Sequence, residues 1–272
     1  MNNKVFVFDI DGVLCTNIMN PTEQDYKFSE QNPHMPRIVF KYDGDNYLHC
    51  FLPYLDVLFK YLVTRGRVVF FSSAAEERNV FLVKELLCML LGKHHYDQLK
   101  KQGQFVIYSH QHLKYGNRKT GEGIQIKDLQ QILLYNEHID EAVLIEDQPS
   151  FAVSTQRPVI LAMDMDIEFL YMQRETTIDF KMNGTYFLLG LFKYYFENVD
   201  YSILPLRKGI EKIYKDNMRD EYDACNRAYL PHKESAFTMK LIKLGQETTQ
   251  TEKDLWAYQP INRRKFNICS CQ

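Results

Sequence analysis

Two aspartates near the start of the chain are the residues best placed to do chemistry. Asp9 and Asp11 follow the apolar run Val5–Phe8, whose β-branched and aromatic composition predicts a buried strand. Two acids at the carboxyl end of such a strand lie where open α/β sheets bind their ligands. Because neighbouring carboxylates repel each other, they need a shared proton or a cation, and a hard divalent ion such as Mg²⁺ is the natural partner. The alternative is a simple turn, since Asp and the adjacent Gly12 are common turn residues.

Two further runs, at 68–71 and 142–145, also have the composition of core strands and also end on polar residues. These residues are of complementary type: Ser72 and Ser73 after the first run, then Glu146 and Asp147 after the second. A lysine, Lys127, opens the stretch 127–134, which we predict to be a short helix before the second of these strands. Together with the two aspartates, these side chains form the candidate site.

This set of side chains is the one that phosphoryl transfer through an aspartyl-phosphate requires. A carboxylate can attack phosphorus, and Mg²⁺ shared by the nucleophile, a backbone carbonyl and a remote acid reduces the repulsion from the phosphate dianion. A hydroxyl and an ammonium hold the remaining phosphoryl oxygens, and this positioning does most of the catalysis. A second acid near the leaving oxygen donates a proton and then activates water.

The phosphate-binding candidates also have purely structural alternatives. Ser72 and Ser73 suit the N-terminus of a following helix, a role that is compatible with anion binding. Lys127 could instead be a solvated surface lysine, in which case Lys114 or Lys119 would supply the amine that binds phosphate.

Strand and helix patterns alternate from residue 1 to about 165, which predicts an α/β fold with a parallel, doubly wound sheet. A small β-hairpin insert is predicted at 37–51, where two strand-like runs flank Asp43-Gly44. Beyond about residue 165 the patterns are helical. We therefore predict two units, a core of residues 1–165 and a helical C-terminal extension of residues 166–272.

The strand-end motifs resemble those of the haloacid dehalogenase (HAD) superfamily of aspartate-dependent phosphatases. The resemblance is carried by DIDGVL at 9–14, the strand and serine at 68–72, Lys127, and the pair Glu146-Asp147. Within that superfamily the chain is most similar to the NLI-interacting-factor-like, or C-terminal-domain-phosphatase-like, branch, through Lys127-Asp128-Leu129 and the proline after the acidic pair. The resemblance covers residues 4 to about 162 and implies a HAD-like Rossmannoid fold.

The same resemblance implies a role for each site residue. The catalytic residues are Asp9, the nucleophile, and Asp11, the acid/base; the phosphate binders are Ser72 and Lys127. We add Ser73, the neighbour of Ser72, as a further candidate phosphate binder. The implied cofactor is Mg²⁺, held by Asp9, by the backbone carbonyl of Asp11, and by Asp147 as the distal ligand. Glu146 stands where the branch usually has Asp, and its longer side chain reaches the metal either directly or through water.

The composition is that of a soluble globular chain with a sizeable core, 45% hydrophobic and 25% charged over 272 residues. The net charge of −2 gives no reason to expect a nucleic-acid partner. The cysteines show neither a disulfide framework nor zinc spacing, so we expect reduced thiols and a cytoplasmic location. Because the sequence enters its first strand at once, we expect no cleaved secretory signal.

We expect a Mg²⁺-dependent protein phosphatase. The interval between the first two motifs holds a hairpin and a helix but no obvious large cap, and an open site suits a macromolecular substrate. Phosphotyrosine is slightly favoured over phosphoserine or phosphothreonine, because the aromatic-rich chain could supply a stacking pocket. The alternatives are a small-molecule or phosphoinositide phosphatase, and a HAD-fold binding module without turnover that its C-terminal helices target.

The C-terminal helices carry mixed aromatic and basic residues, as at 192–196 and 263–266. This composition permits binding to a membrane surface or to a protein partner. A phosphatase core with such an extension would also suit a bacterial effector delivered into a host cell.

Overall fold

The central sheet has six strands, all parallel, whose spatial order differs from their order along the chain. A computed structural model describes residues 3–31, 35–116, 124–156, 159–161, 184–223, 227–229 and 235–255. The strands are β1 (Lys4–Phe8), β5 (Gly66–Phe71), β6 (Phe105–Tyr108), β9 (Ala142–Glu146), β10 (Val159–Leu161) and β11 (Arg227–Tyr229). They lie in the order β11-β10-β9-β1-β5-β6. The direction of winding therefore reverses between β1 and β9, a position where open α/β sheets bind ligands.

Both faces of the sheet are buried, which explains the unbroken apolar run of β1. Phe6 and Phe8 face a core that is filled from the other side by α-helices, whereas Val5 and Val7 face a second core covered by short 3₁₀ turns at 129–131 and 139–141. The predicted doubly wound α/β fold is confirmed.

The helices of the described residues are α1 (Glu23–Gln31), α2 (Leu55–Val63), α3 (Glu76–Leu91), α4 (Lys93–Lys101), α5 (Gly184–Glu197), α6 (Val199–Ser202), α7 (Leu206–Asn217) and α8 (Ala236–Leu255).

A small antiparallel sheet is inserted between β1 and α2. Its strands are β2 (Cys15–Met19), β3 (Arg37–Tyr42) and β4 (Asp45–Phe51), in the order β2-β4-β3. The predicted hairpin is confirmed as β3–β4, and its turn residues Asp43 and Gly44 both have positive φ, as the tight turn requires. The third strand, β2, was not predicted, because its polar and apolar residues show no clear pattern in the sequence.

The predicted helix at 127–134 is wrong. Lys127 instead follows β8 (Ile124–Ile126), which forms a two-stranded sheet with β7 (Lys114–Gly116), and a single 3₁₀ turn follows at 129–131. The side chain of Asp128 accepts a hydrogen bond from the N–H of Gln130 at 3.0 Å. Such a local bond favours a turn over a continuing helix.

The C-terminal segment packs on the same core as the sheet. Phe192 of α5 meets Phe6 of β1 edge to face, with ring centroids 5.0 Å apart. The segment also supplies β11, whose three residues are too few to show a strand pattern. The predicted boundary near residue 165 lies outside the described residues, so the division into two units stays a prediction. None of the described helices is both long and apolar enough to cross a membrane.

Two glycines bring the backbones of α5 and α8 into close contact. A Cβ added at Gly190 would lie 1.9 Å from the carbonyl oxygen of Leu241, and one added at Gly245 would lie 2.0 Å from that of Tyr186. We expect Gly190→Ala and Gly245→Ala each to lower the free energy of unfolding by about 1–3 kcal/mol, because the extra atom forces a packed contact apart. This loss exceeds the gain of up to about 1 kcal/mol that alanine brings to an exposed helix position.

Urea unfolding of the purified variants measures this effect. The matched control is Gly184→Ala in the same helix, where the nearest atom to an added Cβ is Cδ1 of Leu52 at 4.0 Å. That variant should be as stable as the parent chain or slightly more so. Equal stability of all three variants would contradict the described packing of α8 on α5.

Candidate active site

Asp9 and Glu146 lie side by side because β1 and β9 are neighbouring parallel strands. In their register Phe8 stands opposite Ile145, so the two acids are the next pair towards the carboxyl ends of the strands. The N–H of Asp9 donates to the carbonyl oxygen of Ile145 at 3.0 Å. The side chain of Asp9 is 10% exposed, and that of Glu146 is fully buried.

Lys127 supplies the counter-charge to both acids. Its Nζ lies 2.8 Å from Oδ1 of Asp9 and 2.6 Å from Oε2 of Glu146, and its side chain is completely buried. The backbone holds it there, since the N–H of Lys127 donates to the carbonyl oxygen of Phe151 at 2.7 Å and the residue forms a β-bridge with Ala152. The structure therefore brings this lysine to the two acids, although not on the element that the sequence predicted.

Lys114, one of the two alternative amines, does not share this position. Lys114 is half exposed and forms an ion pair with Asp128 on the surface. Lys119 lies outside the described residues.

Burial shifts the pKa of each of the three groups. It raises the pKa of Asp9 and, more strongly, that of Glu146, although the ammonium of Lys127 opposes both shifts. Burial alone would lower the pKa of Lys127, but the two carboxylates outweigh it and raise that pKa. One ammonium thus serves two buried acids, and a further cation would offset the remaining negative charge.

Asp147 completes a group of carboxylates that suits a divalent cation. One oxygen from each of Asp9, Glu146 and Asp147 lies within 4.8 Å of the others. Opposite ligands of an octahedral Mg²⁺ ion are roughly 4 Å apart, and the ion prefers hard oxygen donors. Two of these acids share the ammonium of Lys127 and Asp147 adds a third carboxylate, so the residues present fit Mg²⁺.

Both oxygens of Glu146 already accept hydrogen bonds. Oε2 accepts from Lys127, and Oε1 accepts from the N–H of Gln148 at 3.2 Å. This favours contact of Glu146 with a metal through water. The ligand roles themselves remain predictions.

Asp11, which is not one of the three grouped acids, is held by an arginine. Nη1 of Arg78 donates to Oδ2 of Asp11 at 2.8 Å, and Nη2 donates to Oδ1. The side chain of Asp11 is 37% exposed, against 8% for that of Arg78. Its carboxylate is therefore engaged by Arg78, whereas the metal contact through its backbone carbonyl and its role as acid/base stay predictions.

Ser72 and Ser73 follow β5 at the same edge of the sheet but have different surroundings. The register of β1 and β5 sets Ser72 level with Ile10, one residue beyond Asp9. Ser72 is buried, and its Oγ accepts from the backbone N–H two residues later at 3.2 Å, whereas Ser73 is exposed. Neither serine caps α3, whose N-cap position is Ala75. Their role in phosphate binding remains a prediction.

Sequence reasoning missed Arg78 and His49, which both contact the site. Arg78 follows two glutamates in the first turn of α3, a pattern typical of a solvated helix end. His49 is completely buried in β4, and Nη2 of Arg78 lies 2.8 Å from its Nε2. The one available signal was a histidine between the apolar residues of a predicted strand.

The reversed sheet order and the acids after β1 and β9 define an α/β protein with a parallel, doubly wound sheet and a group of carboxylates at the carboxyl ends of its central strands. No family model matches the chain, and a search of curated proteins finds no match. Among solved structures the chain is similar to a variant of the fission yeast RNA polymerase II CTD phosphatase Fcp1 bound to beryllium fluoride, with 11% identity and a TM-score of 0.41, covering 94% of this chain and 66% of that chain.

A second structure, of Fcp1 described as an essential RNA polymerase II CTD phosphatase, gives 10% identity and a TM-score of 0.40, covering 93% of this chain and 64% of that one. This chain thus spans slightly less than two thirds of those chains. Likeness at this level does not extend to function, which we take from the site itself.

Proposed function

We propose that the chain is a HAD-type phosphatase, a Mg²⁺-dependent phosphomonoesterase that works through an aspartyl-phosphate on Asp9. The observation that carries this proposal is the buried group of Asp9, Lys127 and Glu146 beside Asp147. A carboxylate at a strand end, an ammonium within hydrogen-bond distance and two further acids are the parts that carboxylate attack on a phosphate ester needs.

Each residue has its own task in the proposed reaction. Asp9 attacks phosphorus and becomes the acyl phosphate. Lys127, 2.8 Å from Asp9, holds the nucleophile in its charged form and binds a phosphoryl oxygen. Asp11 gives a proton to the leaving oxygen and later accepts one from the attacking water, a task for which its partly exposed carboxylate is suited.

The proposed metal ligands are Asp9 and Asp147, with the backbone carbonyl of Asp11 and, through water, Glu146. Mg²⁺ bound there would neutralise charge on the transferring phosphoryl group. Ser72, with Ser73 beside it, would hold a further phosphoryl oxygen.

The substrate that we propose is a phosphoprotein, with phosphotyrosine slightly favoured over phosphoserine and phosphothreonine. Between β1 and α2 the described residues form a three-stranded sheet and one helix, and the side chain of Asp11 is 37% exposed. An open site of this kind accommodates a segment of a folded partner. The preference for tyrosine is supported only by the aromatic-rich composition. A small-molecule or phosphoinositide phosphatase is the second candidate.

A phosphopeptide array covering Tyr, Ser and Thr, run beside phosphoinositides and a small aryl phosphate, tests this proposal. We expect hydrolysis with Mg²⁺ and a loss of at least about 10²–10³-fold after EDTA, because the acidic group would otherwise repel the phosphate dianion. Adding back Mg²⁺ should restore the rate, and thermal unfolding with EDTA controls for loss of the fold. Full turnover in excess EDTA would contradict the metal role, and no hydrolysis of any ester would favour a binding module.

We propose a cytoplasmic site of action, in the producing cell or in a host cell, with docking to a protein or membrane surface through C-terminal aromatic and basic residues. The proposal is supported by Cys15, Cys50 and Cys88, which are free thiols in the part of the chain that the structure describes.

A further inference from the structure

Arg78 makes a two-point contact with Asp11 from a different element. The aspartate lies in the loop after β1, whereas the arginine stands in the first turn of α3. Both terminal nitrogens of the guanidinium donate to the carboxylate, one to each oxygen. A bidentate pair of this kind fixes the plane and direction of the carboxylate, which a single hydrogen bond does not.

The arginine is itself held from two other directions. Nη2 lies 2.8 Å from Nε2 of His49, and Nη1 donates to Oδ1 of Asn79 at 3.0 Å. Because a guanidinium has only donors, Nε2 of His49 must accept, and its proton must be on Nδ1. Burial and the neighbouring Arg78 lower the pKa of His49 to about 3, in keeping with a neutral ring.

His49 is in turn fixed by the insert. It belongs to β4, the central strand of the small sheet, and its ring stacks on that of Phe40 with centroids 5.2 Å apart. Asn79 donates to the carbonyl oxygen of Ala74 and to the hydroxyl of Ser109, which ties the other side of Arg78 to the loops after β5 and β6. The guanidinium therefore has a defined position before any substrate binds.

We propose that Arg78 is the positioning residue for Asp11, and that His49 holds Arg78 in place from the insert sheet. This inference rests on the proposed function, in which Asp11 is the acid/base. The small sheet then contributes to the proposed reaction, since its buried residue His49 fixes, through Arg78, the orientation of the Asp11 carboxylate that transfers the proton. Direct binding of substrate phosphate by Arg78 is disfavoured, because its side chain is only 8% exposed and its terminal nitrogens already have three partners.

The test compares leaving groups. A nitrophenolate leaves without a proton, whereas an alkoxide, as from a phosphoserine peptide, requires one from Asp11. We expect Arg78→Met to slow the first-turnover release of the alcohol by about 10²–10³-fold, within the usual range for general-acid catalysis, and to slow nitrophenol release by less than about 10-fold. First-turnover rates isolate formation of the phosphoenzyme, so that its later hydrolysis does not obscure the comparison.

Three further variants sharpen the comparison. Asp11→Asn should show the same dependence on the leaving group, and combining it with Arg78→Met should add little, because both changes remove one function. His49→Gln, which keeps an acceptor for Arg78, should be milder than His49→Leu. The matched control is Arg67→Met, which removes an equally buried arginine from its pair with Glu137 near the opposite end of β5.

Arg67→Met should lower both rates equally, if at all, through loss of stability alone. If Arg78→Met also lowers both rates equally, Arg78 has only a structural role and the inference is wrong. A rise in KM for both substrates with an unchanged kcat would instead identify a phosphate-binding arginine and would also overturn it. Absence of hydrolysis by the parent chain would overturn the proposed function together with this inference, so the two failures are distinguishable.

Discussion

Asp9→Asn is expected to abolish phosphate-ester hydrolysis while the chain stays folded. Removing the nucleophile from an enzyme of this general kind costs on the order of 10⁴–10⁶-fold in kcat, because an amide cannot form the acyl phosphate. Asparagine has nearly the same volume as aspartate, and Lys127 keeps its ion pair with Glu146 at 2.6 Å. The measurement is kcat on a small aryl phosphate, together with circular dichroism of the variant.

The control for Asp9→Asn is Asp97→Asn. Asp97 is an exposed acid in α4 and is not one of the site residues, so this variant should keep the activity of the parent chain. Mapping of covalent phosphate trapped on the parent chain gives the complementary result, since the label should be on Asp9. Label on Cys15 would contradict the assignment. Burial raises the pKa of that thiol well above its ordinary value, so it stays protonated and a poor nucleophile.

Lys127→Met is expected to reduce both stability and activity. The substitution leaves Asp9 and Glu146 buried without their ammonium, and removing one partner of a buried ion pair costs about 3–5 kcal/mol. Activity should fall by about 10²–10³-fold, the usual cost of losing one electrostatic contact to the transition state. The measurements are urea unfolding in the presence of a chelator and kcat/KM on the aryl phosphate. The control is Lys193→Met, which removes an exposed helical ion pair with Glu197 and should cost a few tenths of a kcal/mol.

The stability loss of Lys127→Met should depend on pH in a defined direction. Burial raises the pKa values of Asp9 and Glu146 in the folded chain, and loss of the ammonium raises them further. The folded variant therefore binds protons more tightly than the unfolded one, so its stability falls as pH rises above the ordinary carboxyl pKa. The deficit relative to the parent should be smaller at pH 5 than at pH 8. A deficit that is independent of pH would show that lost packing, and not buried charge, is its cause.

The sequence could predict the features that depend on residues close together in the chain, namely the core strands and the acids that follow them. An apolar run ending on Asp9 and another ending on Glu146 indicated both core strands and the edge where they meet, and the structure places the two acids side by side. Lys127 was found as a residue but was assigned to the wrong element, because Asp128 ends the pattern in a turn. Motif spacing therefore predicted the charged residues of the site better than it predicted the secondary-structure elements that carry them.

What the sequence could not predict depends on contacts between distant segments. Arg78 meets Asp11 across 67 positions of the chain, and nothing near either residue marks the partner. A basic residue after two glutamates has the same appearance whether it faces solvent or a buried carboxylate. β11 shows the same limit, since its three residues join the sheet by pairing with the distant strand β10.

The contact between Phe192 and Phe6 joins one of the last segments of the core to one of the first. During synthesis β1 emerges early from the ribosome. The helix α5, which covers the apolar face of β1, and the strand β11, which pairs with the edge of β10, emerge much later. Until then the nascent chain presents an uncovered apolar face and an unpaired strand edge, the features that recruit chaperones and promote aggregation. Synthesis that stops near residue 165 is therefore expected to yield a substrate for proteases rather than a shorter chain that stays folded.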